Sequence, residues 1–267
     1  MSEGWPHGGF NVVSDFLLFA AVGFGAQLVD GALGMAYGVV STTSLLAMGV
    51  TPANASASVH AAKVFTGAAS ALSHVAHKNI SWRLLALLAA GGVVGGVAGT
   101  YLLTSIDGEK IKPYVVSWLG LMGLVILYRA WKGVRPKPFS WKSPLPLGVV
   151  GGFFDAVGGG GWGPVVTSTL LGSGADPRKA IGTTNAAEFF VASAVSAAFL
   201  SALLSGHWET EGLRDHLSSV LGLIAGGIVA APLAGWMTKV LPIRALTWIV
   251  GVLVTGLAAW QATLLFL

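Results

Sequence analysis

Four ionisable side chains, Asp30, Lys63, Asp155 and Glu188, lie in stretches otherwise built from Gly, Ala, Val, Leu, Ser and Thr. In such surroundings an unpaired charge costs at least about 2.5 kcal/mol, so each needs a partner or a function. Their spacing is regular. Asp30 and Asp155 are 125 positions apart, as are Lys63 and Glu188, and His60 and Asn185. His60 precedes Lys63 by three residues and Asn185 precedes Glu188 by three, which puts each pair on one helix face. Two chemistries follow. Lys63 and Glu188 can form a structural ion pair across a symmetry axis; alternatively, Lys63 offers countercharge to a small anion while Glu188, Asp30 or Asp155 exchanges protons.

Asp155 also opens the run Asp155-Ala-Val-Gly-Gly-Gly-Gly-Trp-Gly-Pro164. Four consecutive glycines interrupt a helix, and Pro164 suits the first turn of the next one. Irregular backbone at membrane depth persists only where it lines a cavity or is buried in protein. A new helix start there aims free N–H groups and partial positive charge at an anion; the simpler alternative is that the glycines only allow helices to cross closely. Candidate substrate contacts are therefore Gly159, Gly160, Gly161, Trp162 and Gly163 at the break. Ser58, His60 and Lys63 join them from the helix opened by Thr51-Pro52, and Thr183, Thr184 and Asn185 from the helix opened by Asp176-Pro177. The Trp162 ring can donate a hydrogen bond or anchor at the membrane interface. His74, His77, His207 and His216 read as loop or interface residues without metal-ligand spacing. No Gly-Lys-Ser/Thr follows the glycines, so a P-loop is excluded. With no nucleophile or metal cluster in view, neither an enzyme nor a cofactor is expected.

The elements that hold these residues are membrane helices. Of 267 residues 54% are hydrophobic and 10% charged, where a soluble domain carries roughly 25%. Apolar runs recur over residues 16–28, 84–103, 115–128, 191–204, 220–233 and 246–267, several of them close to the ~20 residues that cross a bilayer. The 38 glycines suit close helix packing. The first fourteen residues contain Glu3 and His7 but no Lys or Arg, so no removable signal peptide is expected. The absence of cysteine excludes disulfides and thiolate chemistry. Arg129, Lys132, Arg135, Lys137 and Lys142 cluster between two apolar spans, which marks a cytoplasmic linker rather than a nucleic-acid site.

At the offset of 125, residues 30–69 align without a gap on residues 155–194, with 14 identical pairs among 40, including Gly34 with Gly159, Thr42 with Thr167 and Pro52 with Pro177. Gly91-Gly92 then finds Gly226-Gly227 at 135. The expected fold is all-α and polytopic. Residues 1–131 form a first repeat, 132–144 a cytoplasmic linker and 145–267 a second repeat, each repeat a Gly-rich broken-helix hairpin followed by three transmembrane helices. Lys78, Arg83, Lys239 and Arg244 suit the inside. The Asp107–Lys112 turn and the acidic segment of His207, Glu209, Glu211, Arg214, Asp215 and His216 suit the outside. All are satisfied if residues 145–175 enter and leave on one side, as two pieces of about 14 residues each spanning about 21 Å, with residues 15–50 a longer version. The repeats are then inverted. One broken crossing per half, giving eight spans and parallel repeats, is the alternative.

The duplicated glycine-rich segment and the following run Pro177-Arg-Lys-Ala-Ile-Gly-Thr-Thr184 resemble the TauE/SafE sulfite exporter family of membrane permeases, over essentially the whole chain. The resemblance implies a multi-pass inner-membrane permease, often an exporter, for sulfite, thiosulfate, sulfonates or related small anions. It implies a small anionic substrate and the lipid bilayer as partners, and leaves the oligomeric state open. It departs in the first copy, where Leu33, Met35 and Ala36 stand in place of glycines. Residues 158–164 therefore carry it more firmly than residues 30–38.

Overall fold

The computed structural model describes residues 12–132, 143–208, 217–234, 236 and 243–266, and all regular structure among them is helical. The first copy comprises α1 (Val12–Leu33), α2 (Tyr37–Ala47), α3 (Pro52–Ala76), α4 (Trp82–Thr104) and α5 (Gly108–Lys132). The second comprises α6 (Pro144–Gly158), a π-helical turn (Gly163–Thr167) running into α7 (Ser168–Gly172), α8 (Pro177–Leu204), α9 (Leu217–Ala230) with a 3-10 turn (Ala231–Leu233), and α10 (Ile243–Phe266). Five helices, α1, α4, α5, α8 and α10, are long and apolar enough to cross a membrane. At 25 residues α3 is as long, but it buries Ser56, Ser58, His60, Lys63, Thr66 and Ser70 along its length. The expectations placed on Glu3, His7, Arg135, Lys137, Lys142, Glu209, Glu211, Arg214, Asp215, His216 and Lys239 fall outside the described residues.

The two copies repeat the same backbone. The first arms end at Leu33 and Gly158, 125 positions apart. Each is followed by a left-handed glycine, Gly34 at φ 65° and Gly159 at φ 64°, and each second arm ends near another, Gly49 at φ 88° and Gly174 at φ 80°. Only glycine adopts this conformation without a Cβ penalty. Proline at Pro52 and Pro177 then opens α3 and α8, where its missing N–H is no loss. The arms of the second hairpin differ from the expected equal pieces: α6 has 15 residues, and the second arm is the short Gly163–Thr167 turn plus α7. The first arm of the first hairpin is longer, as expected, at 22 residues.

Packing exchanges partners between the copies. α1 lies on α9 and α6 lies on α4. Both pairs run parallel: Gly91, Gly95 and Gly99 meet the backbone of Leu145, Val149 and Phe153 in that order, and Gly222 and Gly226 meet Phe16 and Ala20. Small residues at every fourth position allow this approach. The equivalent helices α3 and α8, by contrast, run antiparallel: Lys63 meets Glu188 while Ser81, beyond the far end of α3, meets Thr183. α5 and α10 are also antiparallel, with Gly123 against Thr255 and Ala130 bonded to Arg244.

Two faces result. One gathers the ends of α3, α5 and α7 and the starts of α4, α6, α8 and α10; there Lys179 Nζ donates to the Lys78 carbonyl at 2.8 Å and Arg244 Nε to that of Ala130 at 3.0 Å. The opposite face gathers the starts of α1, α3 and α5 and the ends of α2, α4 and α8, where Ser105 bonds His207 at 2.9 Å. Each hairpin begins and ends at one face, and the two hairpins use opposite faces.

Candidate functional site

The hairpins meet backbone to backbone at the centre. A methyl group added at Gly160 would overlap Val39, and one at Gly163 would overlap Met35 and the Gly34 carbonyl, so both positions must be glycine for this crossing. Two threonines related by the repeat fasten it. Thr42 Oγ1 donates to the Gly159 carbonyl and Thr167 Oγ1 to the Gly34 carbonyl, each at 2.7 Å. Each left-handed turn is thus held by the second arm of the other hairpin.

The expected arrangement, in which the new helix starts aim free N–H groups at a guest, takes a different form here. Asp155 Oδ1 accepts from the amides of Gly161 at 2.8 Å and Trp162 at 3.0 Å. Asp30 Oδ1 does the same for Ala36 at 2.8 Å and Tyr37 at 3.1 Å. Each second arm therefore carries its own carboxylate at its positive end, a favourable placement by helix electrostatics.

Beyond the caps the copies differ. Asp155 also takes Lys63 Nζ at 3.0 Å and His60 Nε2 at 3.1 Å, all three side chains being buried. Lys63 Nζ continues to Glu188 Oε1 at 2.8 Å. The ion pair expected between Lys63 and Glu188 is present, with Asp155 as a third member. Such a triad is held in an apolar interior because both carboxylates contact the one ammonium group. His60 Nδ1 lies 2.8 Å from the Ser56 carbonyl, which orients the ring. Asn185, at the position equivalent to His60, reaches the Asp30 carbonyl at 3.5 Å and His74 Nε2 at 3.2 Å.

Asp30, Lys63, Asp155, Glu188, Gly160, Gly161, Trp162 and Gly163 line one narrow crevice. Its volume of about 10 Å³ holds about one water. A cavity of about 570 Å³ opens from one face, lined by Arg129, Lys132, Asp176 and Arg244, and reaches the hairpin at Leu33 and Met35. A second, of about 340 Å³, opens from the other face past Thr51, Asn54 and Asp107. The crevice lies between them, and Met35 lines both it and the larger cavity.

Other sequence candidates stand elsewhere. Thr183 accepts the Ser81 amide at 2.9 Å, at the α3–α4 connection. Thr184 bonds Thr167 at 2.9 Å behind the first turn. Ser58 is buried but lies apart from the crevice lining. Trp162 is no interfacial anchor: it is 1% exposed, donates Nε1 to the Thr184 carbonyl at 3.0 Å, and packs its ring on Gly92, as Tyr37 packs on Gly227. His74 corrects the reading of a loop or interface residue, being fully buried between α3 and α8 because that helix pair closes over it. Thr42 and Thr167 join the hairpins unforeseen, and Ser56 ties α3 to the second hairpin by donating Oγ to the Ala156 carbonyl at 2.6 Å. The identity of Thr42 and Thr167 at the repeat offset was their signal. Among the described residues no group of three or more His, Asp or Glu is arranged to hold a metal.

The sequence model described as "Sulfite exporter TauE/SafE" matches residues 19–261. The chain belongs to the TauE/SafE family. With its five apolar spans it is a multi-pass membrane protein, and membership makes it a membrane transporter. The Bacillus subtilis (strain 168) protein named "Probable membrane transporter protein YtnM" is 44% identical over 230 residues, covering 84% of this chain and 74% of that relative. No solved structure matches the chain. The matched region includes Asp30, Lys63, Asp155 and Glu188 and both helices that carry the ion-paired cluster.

Proposed function

We propose that this protein is a proton-coupled secondary transporter that exports small sulfur-containing anions, such as sulfite, thiosulfate or organosulfonates, across the inner membrane. The observation that carries the reading is Lys63, a buried cation shared by two carboxylates, Asp155 and Glu188, in a narrow crevice at the hairpin crossing. An anion arriving at Lys63 competes with Glu188 for the ammonium group. A proton on Glu188 releases that contact, so a monoanionic guest, such as hydrogen sulfite or a sulfonate, takes its place without changing the charge of the cluster. Asp155 keeps hold of Lys63 throughout, through its amide bonds and His60. Gly160, Gly161, Gly163 and Trp162 wall the guest site, and Asn185 and Thr184 brace the first hairpin from behind. The inverted arrangement of the repeats agrees with the antiparallel pairing of α3 with α8 and α5 with α10, and such repeats with broken helices near the midplane are a transporter plan. The face carrying Lys78, Arg129, Lys132, Lys179 and Arg244 is then cytoplasmic. The narrowness of the crevice, with room for about one water, favours a carrier over an open channel. Counterflow in liposomes with a panel of sulfur oxyanions, sulfonates and carboxylates tests the reading: Lys63→Ala abolishes exchange of the preferred anion, and unchanged exchange would sink the assignment.

A further inference from the structure

Trp118 of α5 carries an indole N–H that is shielded from solvent and meets no acceptor among the described residues. A buried donor without an acceptor is unfavourable, and phenylalanine would fill the same place without that penalty. The ring lies flat on Phe154, with centroids 4.3 Å apart and planes 12° apart. Its edge covers Gly158, where an added Cβ would stand 2.7 Å from Nε1. The unpaired donor therefore sits at the break of the second hairpin, one helical turn from Asp155. Ile111, two turns back on the same face of α5, lines the smaller cavity. Trp118 is thus placed between that cavity and the hairpin crossing.

The donors described above at the crossing are engaged. The amides of Gly161 and Trp162 go to Asp155, Trp162 Nε1 to Thr184, Thr42 Oγ1 to Gly159, and Lys63 to two carboxylates. At the equivalent turn of the first hairpin, Leu33 and Met35 line the larger cavity; at the second, Trp118 roofs the turn. We propose that Trp118 is a substrate-binding residue, donating its indole N–H to an oxygen of the oxoanion as the anion passes between the smaller cavity and Lys63. The proposal rests on the anion reading given above and names the group that meets the guest on that side.

Liposome counterflow of sulfite and methanesulfonate by the wild type, Trp118→Phe and Trp118→Tyr tests it. Phenylalanine keeps the stack on Phe154 and removes only the donor. The expected result is a KM raised about tenfold with the maximal rate within about twofold, as loss of one charge-assisted hydrogen bond gives. The unfolding temperature in detergent stays equal to or above that of the wild type, and Trp118→Tyr, whose hydroxyl restores a donor, recovers part of the KM. A folded Trp118→Phe protein with wild-type KM overturns the proposal. Should neither variant fold, hydroxyl-radical footprinting of the wild type decides: methanesulfonate protects the peptide containing Trp118, and unchanged reactivity overturns the proposal. A wild type that exchanges none of the anions overturns the anion reading, and the proposal with it.

Discussion

Asp30 and Asp155 bond the same pair of amides in their respective hairpins, yet only Asp155 also holds a lysine and a histidine. Neutralising them should therefore have unequal effects. Asp155→Asn keeps an oxygen for its amides and leaves Lys63 paired with Glu188, but removes the charge that both Lys63 and His60 contact, and is expected to destabilise the protein by about 1.5–3 kcal/mol, the range for a hydrogen bond to a charged group. Asp30→Asn keeps an oxygen for both amides and should lower the melting temperature in detergent much less; equal losses would contradict the division of roles. Glu188→Gln retains the Lys63–Asp155 pair, so it should fold normally while losing proton movement coupled to the anion, read with a pH-sensitive dye inside liposomes. The residue types and the offset of 125 made the Lys63–Glu188 pair legible in the sequence. The third member was not, because the direction of the Asp155 side chain depends on how sharply the chain turns at Gly159. His74 was misread for a related reason: its burial is set by α8, more than a hundred residues away in sequence.

Among the elements, the hairpins are the part most exposed to small changes. Gly160→Ala and Gly163→Ala place a methyl group in the backbone of the opposite hairpin, and neither should yield folded protein in the membrane. Gly172→Ala, at the end of α7 where nothing lies within 4 Å, should be neutral, as judged by expression and monodisperse elution. Thr42→Val and Thr167→Val each leave a carbonyl unbonded at the crossing and should cost about 1–3 kcal/mol. The two losses should be similar, since the bonds have the same length and setting; a large inequality in melting temperature would mean that one hairpin holds the other. Sequence marked the turns and the helix starts because glycine and proline announce them. It overstated the second arm, which is only the π-helical turn at Gly163–Thr167, bonded to the first hairpin through Thr167, and the short α7.

For the whole molecule, the antiparallel pairing of equivalent helices makes a testable topology. The chain contains no cysteine, so single introduced ones report cleanly. A thiol at position 179 should react with an impermeant maleimide only from the cytoplasmic side, and one at position 109 only from outside. Labelling of both from the same side would overturn the inverted arrangement.

The exchange of partners between halves bears on how the chain is made. Helix α1 packs on α9, which is synthesised almost two hundred residues later, whereas α6 packs on α4, which precedes it. During translation α1 must remain in the bilayer, with the face that will meet Gly222 and Gly226 turned to lipid, until α9 arrives. The 22 predominantly apolar positions of α1, Val12–Leu33, suffice for that, since about 20 residues cross the hydrocarbon core unaided. Helix α6 emerges beside a waiting partner and needs only 15 residues. The unequal first arms of two otherwise matching hairpins thus follow the order of synthesis: the arm that waits is the arm long enough to stand alone.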